Sequence, residues 1–167
     1  MPIMALADSQ GILHWIEQSA PAVFFRQSIW LYPAVEIVHI IGFAILVGSA
    51  VLFDLRLLGM ARKLPVTESI AHLIFWARIS FLAVLPSGFI LFMVEASSMA
   101  INPAFRLKLI LIVLAGLNAA VFHRFTLKSI EEWNIDKMPP VSARIAGVIS
   151  ILLWFSVIAC GRLIAYV

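Results

Sequence analysis

The chain has 167 residues, of which 63% are hydrophobic and only 13% are charged, with a formal net charge of +3. Soluble domains are nearer one half apolar and one quarter charged, so the composition excludes an ordinary globular protein and is typical of an integral membrane protein. The basic residues form short clusters between apolar runs, which argues against nucleic-acid binding and is the pattern of membrane topology. The lone cysteine, Cys160, excludes an internal disulfide and a multi-cysteine metal site.

Residues 1–29 precede the first long apolar run. Residues 1–8 have neither the basic region nor the long apolar region of a cleavable signal, so we expect the first spanning helix to direct membrane insertion. In residues 9–29 polar side chains interrupt apolar ones, and Pro21 breaks any helix. Because this segment is too polar to span, the sequence predicts that residues 1–29 form an amphipathic segment at the membrane surface.

The first predicted span covers about residues 30–58. Its centre, residues 37–53, is a 17-residue run with no charge and one ionisable group, His39. Trp30 and Tyr32 lie at one end, where aromatic residues meet the membrane–water interface. This length and apolarity predict a membrane-spanning helix.

Three more apolar segments predict spans over about residues 70–98, 104–124 and 144–164. The second is interrupted by Arg78, and Pro86 lies within it, so we expect a kink there. The predicted fold class is an all-α membrane protein, a four-transmembrane-helix bundle over residues 30–167 with the N-terminal surface segment.

The distribution of basic residues predicts the orientation. Four spans place both termini on the same side. The loops that follow the first and third spans, with their edges, carry seven basic residues against four on the other side. Cytoplasmic loops are enriched in Lys and Arg, so we expect a bacterial inner-membrane protein with both termini on the periplasmic side.

Charged residues fall near both ends of the predicted spans. One interpretation is a set of interfacial ion pairs that ties the bundle at each rim. The other is that one layer binds the carboxylates of a cofactor or an anionic substrate. The candidate residues for that role are Arg78, Arg106 and Arg162.

His39 is the first candidate for a functional residue, because an imidazole inside a span is costly without a partner. It lies one helical turn from Glu36, so both side chains project from one face. Three interpretations stay open: a neutral histidine hydrogen-bonded across the bundle, a haem or metal ligand, and a proton relay. Glu36 and His39 together are the candidate metal ligands.

A haem held by two imidazoles needs two histidines at one depth on different helices. His72 and His123 are the best-matched pair by position. His39 lies roughly 15 to 20 Å in depth from His123, so those two cannot share one iron. His14 or a sulfur ligand such as Met93 is the remaining candidate partner for His39.

Four segments of the chain resemble an uncharacterised family of small bacterial four-helix membrane proteins. They are WLYPAVEIVHIIGFAILVGS and DLRLLG in the first span, NPAFRLK in the third and GRLIAY in the fourth. A histidine followed by small residues is distantly similar to the copper-resistance protein D family, which implies copper handling. Four-helix b-type cytochromes are similar in architecture.

The sequence lacks a phosphate-binding loop, a nucleophile elbow and zinc-ligand spacing, so it does not favour a soluble-type enzyme, and an enzymatic role stays open. The expected function is that of a membrane subunit for electron transfer, with haem b in the bundle. Its expected partners are a quinone and a membrane or periplasmic redox protein. The alternatives are copper handling and a non-catalytic membrane anchor.

Overall fold

The computed structural model describes residues 11–126 and 130–167. Residues 1–10, on which part of the surface-segment prediction falls, lie outside the described residues. The described helices are residues 11–17 (α1), Ala20–Gln27 (α2), Leu31–Leu57 (α3), Val66–Val94 (α4), Ala96–Ile101 (α5), Pro103–Val121 (α6), Ile130–Trp133 (α7) and Val141–Leu163 (α8). A π-helical turn, Phe122–Thr126, continues α6.

Four of these helices are long and apolar enough to cross a membrane: α3, α4, α6 with its π-helical turn, and α8. Their mean hydropathy lies between 1.9 and 2.2. Large apolar side chains on their outer faces, such as Leu82 and Leu152, are exposed and therefore meet lipid. The predictions of an all-α four-helix bundle and of a multi-pass membrane protein are confirmed.

The helices begin and end at recognisable local signals. α6 begins after Asn102, whose side-chain oxygen accepts a hydrogen bond from the amide of Phe105 at 3.0 Å, and Pro103 occupies the first turn. α4 continues through Pro86 to Val94. It ends at Glu95, and the short helix α5 follows.

The four spans do not form a closed bundle in which each helix packs against two neighbours. α3 packs against α4 and α8, and α6 packs against α8, whereas α4 and α6 make little or no direct contact. Small residues allow the close approaches, since a Cβ at Gly42 would lie 2.9 Å from the side chain of Val84 on α4. On α8, a Cβ at Gly147 would lie 3.2 Å from the Asp54 carbonyl oxygen. The bundle is therefore open between α4 and α6, with α3 and α8 behind the opening.

Hydrogen bonds between distant segments show that successive spans run in opposite directions. At the end that carries the C-terminus, the Asn102 amide donates to the carbonyls of Ile164 and Val167 at 3.1 and 2.7 Å. Arg26 donates to the Val94 carbonyl at the same end. We call this the termini end.

The opposite end, which we call the loop end, contains the inter-span loops 58–65 and 134–140. Arg56 ties these loops together by donating to the carbonyls of Leu64 and Asn134, both at 3.0 Å. The main buried apolar cluster lies at this end and comprises Leu57, Val66, Phe122, Trp133 and Ala143. The loop end is thus packed shut, while the rest of the bundle leaves space between α4 and α6.

Candidate functional site

A cavity of about 1080 Å³ occupies the space between α4 and α6, in front of α3 and α8. We call it the chamber. Ligand sites in proteins are typically about 300–1000 Å³, so the chamber is large enough for a cofactor. Its walls are mostly apolar and include the rings of Phe43, Phe105 and Trp154. The chamber therefore suits a large, mainly apolar ligand.

Apart from Tyr32 and Ser49 on α3, the polar groups that line the chamber fall into two sets. The termini-end set is Glu36, His39, Arg106 and Lys108. The loop-end set is Asp54, Asn118, His123 and Ser150. On α3, fifteen residues separate His39 from Asp54, which at the rise of a helix places the two sets roughly 22 Å apart in depth.

His39, half-buried on α3, has its protonation pattern fixed by Ser87 of α4. The Nδ1 atom lies 3.0 Å from the Ser87 hydroxyl oxygen. That hydroxyl also lies 2.6 Å from the Ala83 carbonyl, so we assign its single hydrogen to this carbonyl and the hydrogen of the His39 contact to the ring. This assignment places the ring hydrogen on Nδ1 and leaves the Nε2 lone pair available.

The imidazole ring is also held from its sides. A Cβ at Gly88 would lie 2.9 Å from the Cε1 atom of His39, so the ring lies against bare backbone on α4. The Phe43 ring stacks on it, with 6.4 Å between centroids and 15° between planes. These contacts, with the Ser87 hydrogen bond, orient the ring before any ligand binds.

Lys108 of α6 places a positive charge at the same end of the chamber. Its ammonium nitrogen lies 5.7 Å from the centroid of the Phe43 ring, within range of a cation–π interaction. Within the described residues the ion pair observed is between Arg26 and Glu17, and no carboxylate pairs with Lys108. The ammonium group is thus free to bind an anionic group of a ligand.

Glu36 and Arg106 line the mouth of the chamber, and both are exposed. Glu36 lies one turn before His39 on α3. The Arg106 guanidinium is oriented by donating from Nε to the Ala100 carbonyl at 2.7 Å. The remaining guanidinium nitrogens can bind a carboxylate.

The other predicted site residues are divided by the fold. His123 lines the chamber at the loop end, away from His39. His72, Arg78 and Arg162 are exposed and do not belong to the lining. Arg162 instead donates to the Tyr166 hydroxyl at 2.5 Å and stacks on that ring. The chamber lining includes His39 and Arg106 at the termini end and His123 at the loop end, but it does not include His72.

A metal site made of protein side chains alone would be sparse. In the part of the chain that the structure describes, no three His, Cys, Asp or Glu side chains lie close enough to hold one ion. Glu36 and His39 would supply two ligands at most. The donor set therefore fits a haem iron, which needs one or two protein ligands, better than a bare ion.

Sequence reasoning missed Ser87 and Gly88, which it treated only as neighbours of a helix-distorting proline. They are 48 and 49 residues from His39, and only the alignment of α4 against α3 brings them to its ring. The sequence did contain a signal for them. A small hydroxyl residue stands next to a glycine in one predicted span, and another predicted span contains a histidine that needs a partner.

Comparison with known proteins gives one match. The model of a family described as a family of unknown function (DUF6644) matches residues 13–167. No curated protein and no solved structure matches the chain. The expected likeness to an uncharacterised family is consistent with this result, and no link to the copper-resistance protein D family is found.

Proposed function

We propose that this chain, which belongs to the DUF6644 family, holds a b-type haem or a similar flat redox cofactor in its chamber and serves electron transfer as a membrane subunit. The observation that carries this proposal is the 3.0 Å contact between His39 Nδ1 and the Ser87 hydroxyl, which assigns the ring hydrogen to Nδ1 and leaves Nε2 as the ligand atom. When bound, such a cofactor would supply one-electron redox chemistry. The chain's residues bind it, orient it and surround it with an apolar wall.

Histidine ligands of metal centres usually donate their second ring N–H to another protein group. That hydrogen bond fixes the tautomer and the ring orientation and raises the basicity of the ligand nitrogen. Ser87 acts in this way on His39, and Gly88 and Phe43 hold the ring plane. A histidine kept only for packing would not need a free Nε2 beside a large cavity.

The termini-end cations suit the acidic groups of a haem. A b-type haem has an apolar macrocycle and two propionates, and the chamber has apolar walls with Arg106 and Lys108 at one end. The two side chains would bind the propionates, and Arg106 can do so with two parallel hydrogen bonds. The apolar walls would exclude water from the iron.

In the described part of the chain no second histidine lines the chamber at the depth of His39, because His14 and His72 are exposed and lie outside the lining. The depth of His123 can be compared with that of His39 by counting from the termini end of each helix. His39 lies eight residues after the start of α3 at Leu31, and His123 lies twenty residues after the start of α6 at Pro103. The difference of twelve residues corresponds to about 18 Å in depth. Met93 does not line the chamber, but Met99 does. We therefore propose an iron with His39 as its one histidine ligand and Met99 as the sulfur candidate.

The gap between α4 and α6 would give a lipid-soluble electron carrier, such as a quinone, a path from the bilayer. A membrane or periplasmic redox protein would exchange electrons at the termini end. This scheme rests on the proposed orientation, in which both termini lie on the periplasmic side of the bacterial inner membrane.

A visible absorption spectrum tests the proposal. The protein is expressed with excess haem precursor and purified in lipid nanodiscs. Wild type and His72→Ala should show a Soret band of equal intensity, whereas His39→Ala should lose it, because His72 lies outside the chamber. A wild-type protein without a Soret band despite full haem supply would overturn the proposal.

Copper handling is the second candidate, and the observation that favours it is that Glu36 and His39 line the same mouth of the chamber. The two side chains would supply the first ligands for an ion from outside. Metal analysis of wild type and His39→Ala decides, since equal copper content in both would exclude His39 as a ligand. A colourless, metal-free protein that co-purifies with a partner would instead indicate the membrane anchor.

A further inference from the structure

The loop end of the chamber contains a buried carboxylate whose hydrogen bonding is incomplete. Asp54 on α3 is 5% exposed, and its Oδ2 atom has no hydrogen-bond partner. The Ser150 hydroxyl on α8 is its side-chain hydrogen-bond partner. Both residues line the chamber, so the free oxygen belongs to a group in its wall.

The charged side chains on the surrounding helices do not neutralise Asp54. Arg56 on α3 is turned to the loop carbonyls of Leu64 and Asn134. On α6 and its π-helical turn, the polar groups that line the loop end of the chamber are the Asn118 amide and His123, while the cations Arg106 and Lys108 line the termini end. Among the described residues, the remaining basic side chains of this end are exposed and lie outside the lining: Arg62, Lys63, His72, Arg78, Arg124, Lys137 and Arg144.

An ionised carboxylate buried without a cation is strongly unfavourable, because the lost hydration is not replaced. A metal cation would need several oxygen ligands, as hard cations in proteins take six or more. The side chains at this point offer one carboxylate, one hydroxyl and, further along, one amide oxygen. A proton needs only one oxygen atom. The site therefore suits a proton better than a metal cation.

We propose that Asp54 is a proton-binding site, which takes up a proton at the loop end and keeps it in the chamber as a neutral carboxylic acid. Protonation removes the uncompensated charge at the buried Oδ2 atom, while the Ser150 hydroxyl continues to donate to the carboxyl group. The only bond that forms is the O–H bond, and the positive charge of the proton cancels the negative charge of the carboxylate.

His123 provides the path for this proton. It lies in the π-helical turn Phe122–Thr126, is exposed, and lines the same chamber. Single π-helical turns are frequent at functional sites, and an imidazole can take a proton on one ring nitrogen and release one from the other. In this proposal His123 is the titratable group of the chamber lining that would pass a proton from the loop end toward Asp54.

The proton site goes beyond the proposed cofactor and does not depend on it, because Asp54 and His39 belong to opposite ends of the chamber. If both are correct, a proton at Asp54 offsets the negative charge that each electron adds within the same apolar space. The experiment uses protein purified without added haem, so that failure of one proposal leaves the other to be judged separately.

Infrared difference spectroscopy over a pH series tests the site in lipid nanodiscs. We expect a protonated-carboxyl C=O band that shifts in D₂O and persists at a pH at which exposed carboxylates are ionised. Asp54→Asn should lose it. Asp136→Asn, which changes an exposed carboxylate of the loop end, should keep it. A band that survives in Asp54→Asn would overturn the proposal.

Labelling of wild type with dicyclohexylcarbodiimide needs no folded variant. This apolar reagent adds to protonated carboxyl groups in apolar surroundings, and mass spectrometry of peptides locates the adduct. We expect labelling of Asp54 that falls as the pH rises, with none at Asp136. No adduct at Asp54 at any pH, or protection by Na⁺ or K⁺ at constant pH and ionic strength, would overturn the proposal, the latter in favour of a metal-cation site.

Discussion

The two ends of the bundle use charged residues in opposite ways. At the loop end, Arg56 is 3% exposed and donates from Nε and Nη2 to the carbonyls of two loops, while its Nη1 atom is buried without a partner. At the termini end, Lys108 contacts an aromatic ring and leaves its ammonium group unpaired in the described structure. A charge at a membrane rim is therefore structural where protein carbonyls accept its hydrogen bonds, as at Arg56, and is available to a ligand where no protein acceptor is bound, as at Lys108.

The largest expected effect is at the loop end. Arg56→Ala leaves the Leu64 and Asn134 carbonyls without their donor, and hydrogen bonds to charged groups contribute roughly 1.5–3 kcal/mol each. We expect a loss of about 3 kcal/mol or more, measured as a lower thermal unfolding midpoint in detergent. Arg78→Ala, at an exposed position, is the matched control and should stay within about 0.5 kcal/mol. Equal midpoints for the two variants would contradict the structural role of Arg56.

Gly88→Ala tests the termini end of the bundle, where Gly88 lies against the His39 ring. The new Cβ would lie 2.9 Å from the His39 ring and must displace it. We expect at least a tenfold fall in haem occupancy, with overpacking costing about 1–3 kcal/mol of stability. Gly48→Ala is the control, because nothing lies within 4 Å of its Cβ. Unchanged haem occupancy in Gly88→Ala would show that the ring orientation does not matter.

Ser87→Ala removes the acceptor of the His39 N–H without changing the helix. Loss of such a supporting hydrogen bond typically weakens metal binding 10–100-fold. We expect a weaker haem affinity in a titration of apoprotein, with a changed reduction potential. Ser156→Ala is a close control, since its hydroxyl makes the same bond to the carbonyl four residues earlier, at 2.8 Å, on an exposed face. Similar affinities for both variants would contradict the role of Ser87.

Lys108→Met should give the smallest of these effects. It removes the unpaired charge but keeps an apolar side chain of similar length beside Phe43. We expect haem affinity to fall roughly three- to tenfold, in keeping with about 1 kcal/mol for one partly solvated charge contact, and Lys108→Arg to restore most of it. If both variants bind equally weakly, packing and not charge is what Lys108 provides.

The sequence predicted the spans and His39 because both depend on local composition. An apolar run long enough to cross a bilayer has few alternatives, and an imidazole within it needs a partner wherever the helix packs. The identity of that partner depends on how α4 is placed against α3, which no local pattern encodes. Ser87 was therefore visible in the sequence, but its contact with His39 was not.

Helix rotation explains which predicted cations line the chamber. Successive residues on a helix are about 100° apart, so neighbours face different directions. Gly161 lines the chamber and Arg162 does not. Likewise Ala77 on α4 lines it and Arg78 does not. Depth could be read from the sequence, but the weak periodicity of spans that are apolar on all sides left their rotation undetermined.

The most direct measurement is nitrogen-15 NMR of protein labelled on its histidines, before and after addition of haem, with His39→Ala used for assignment. We predict that His39 in the apoprotein carries its hydrogen on Nδ1, and that haem shifts or broadens its Nε2 resonance while His72 is unaffected. A hydrogen on Nε2 in the apoprotein, or an Nε2 resonance indifferent to haem, would contradict the role of His39 as the ligand.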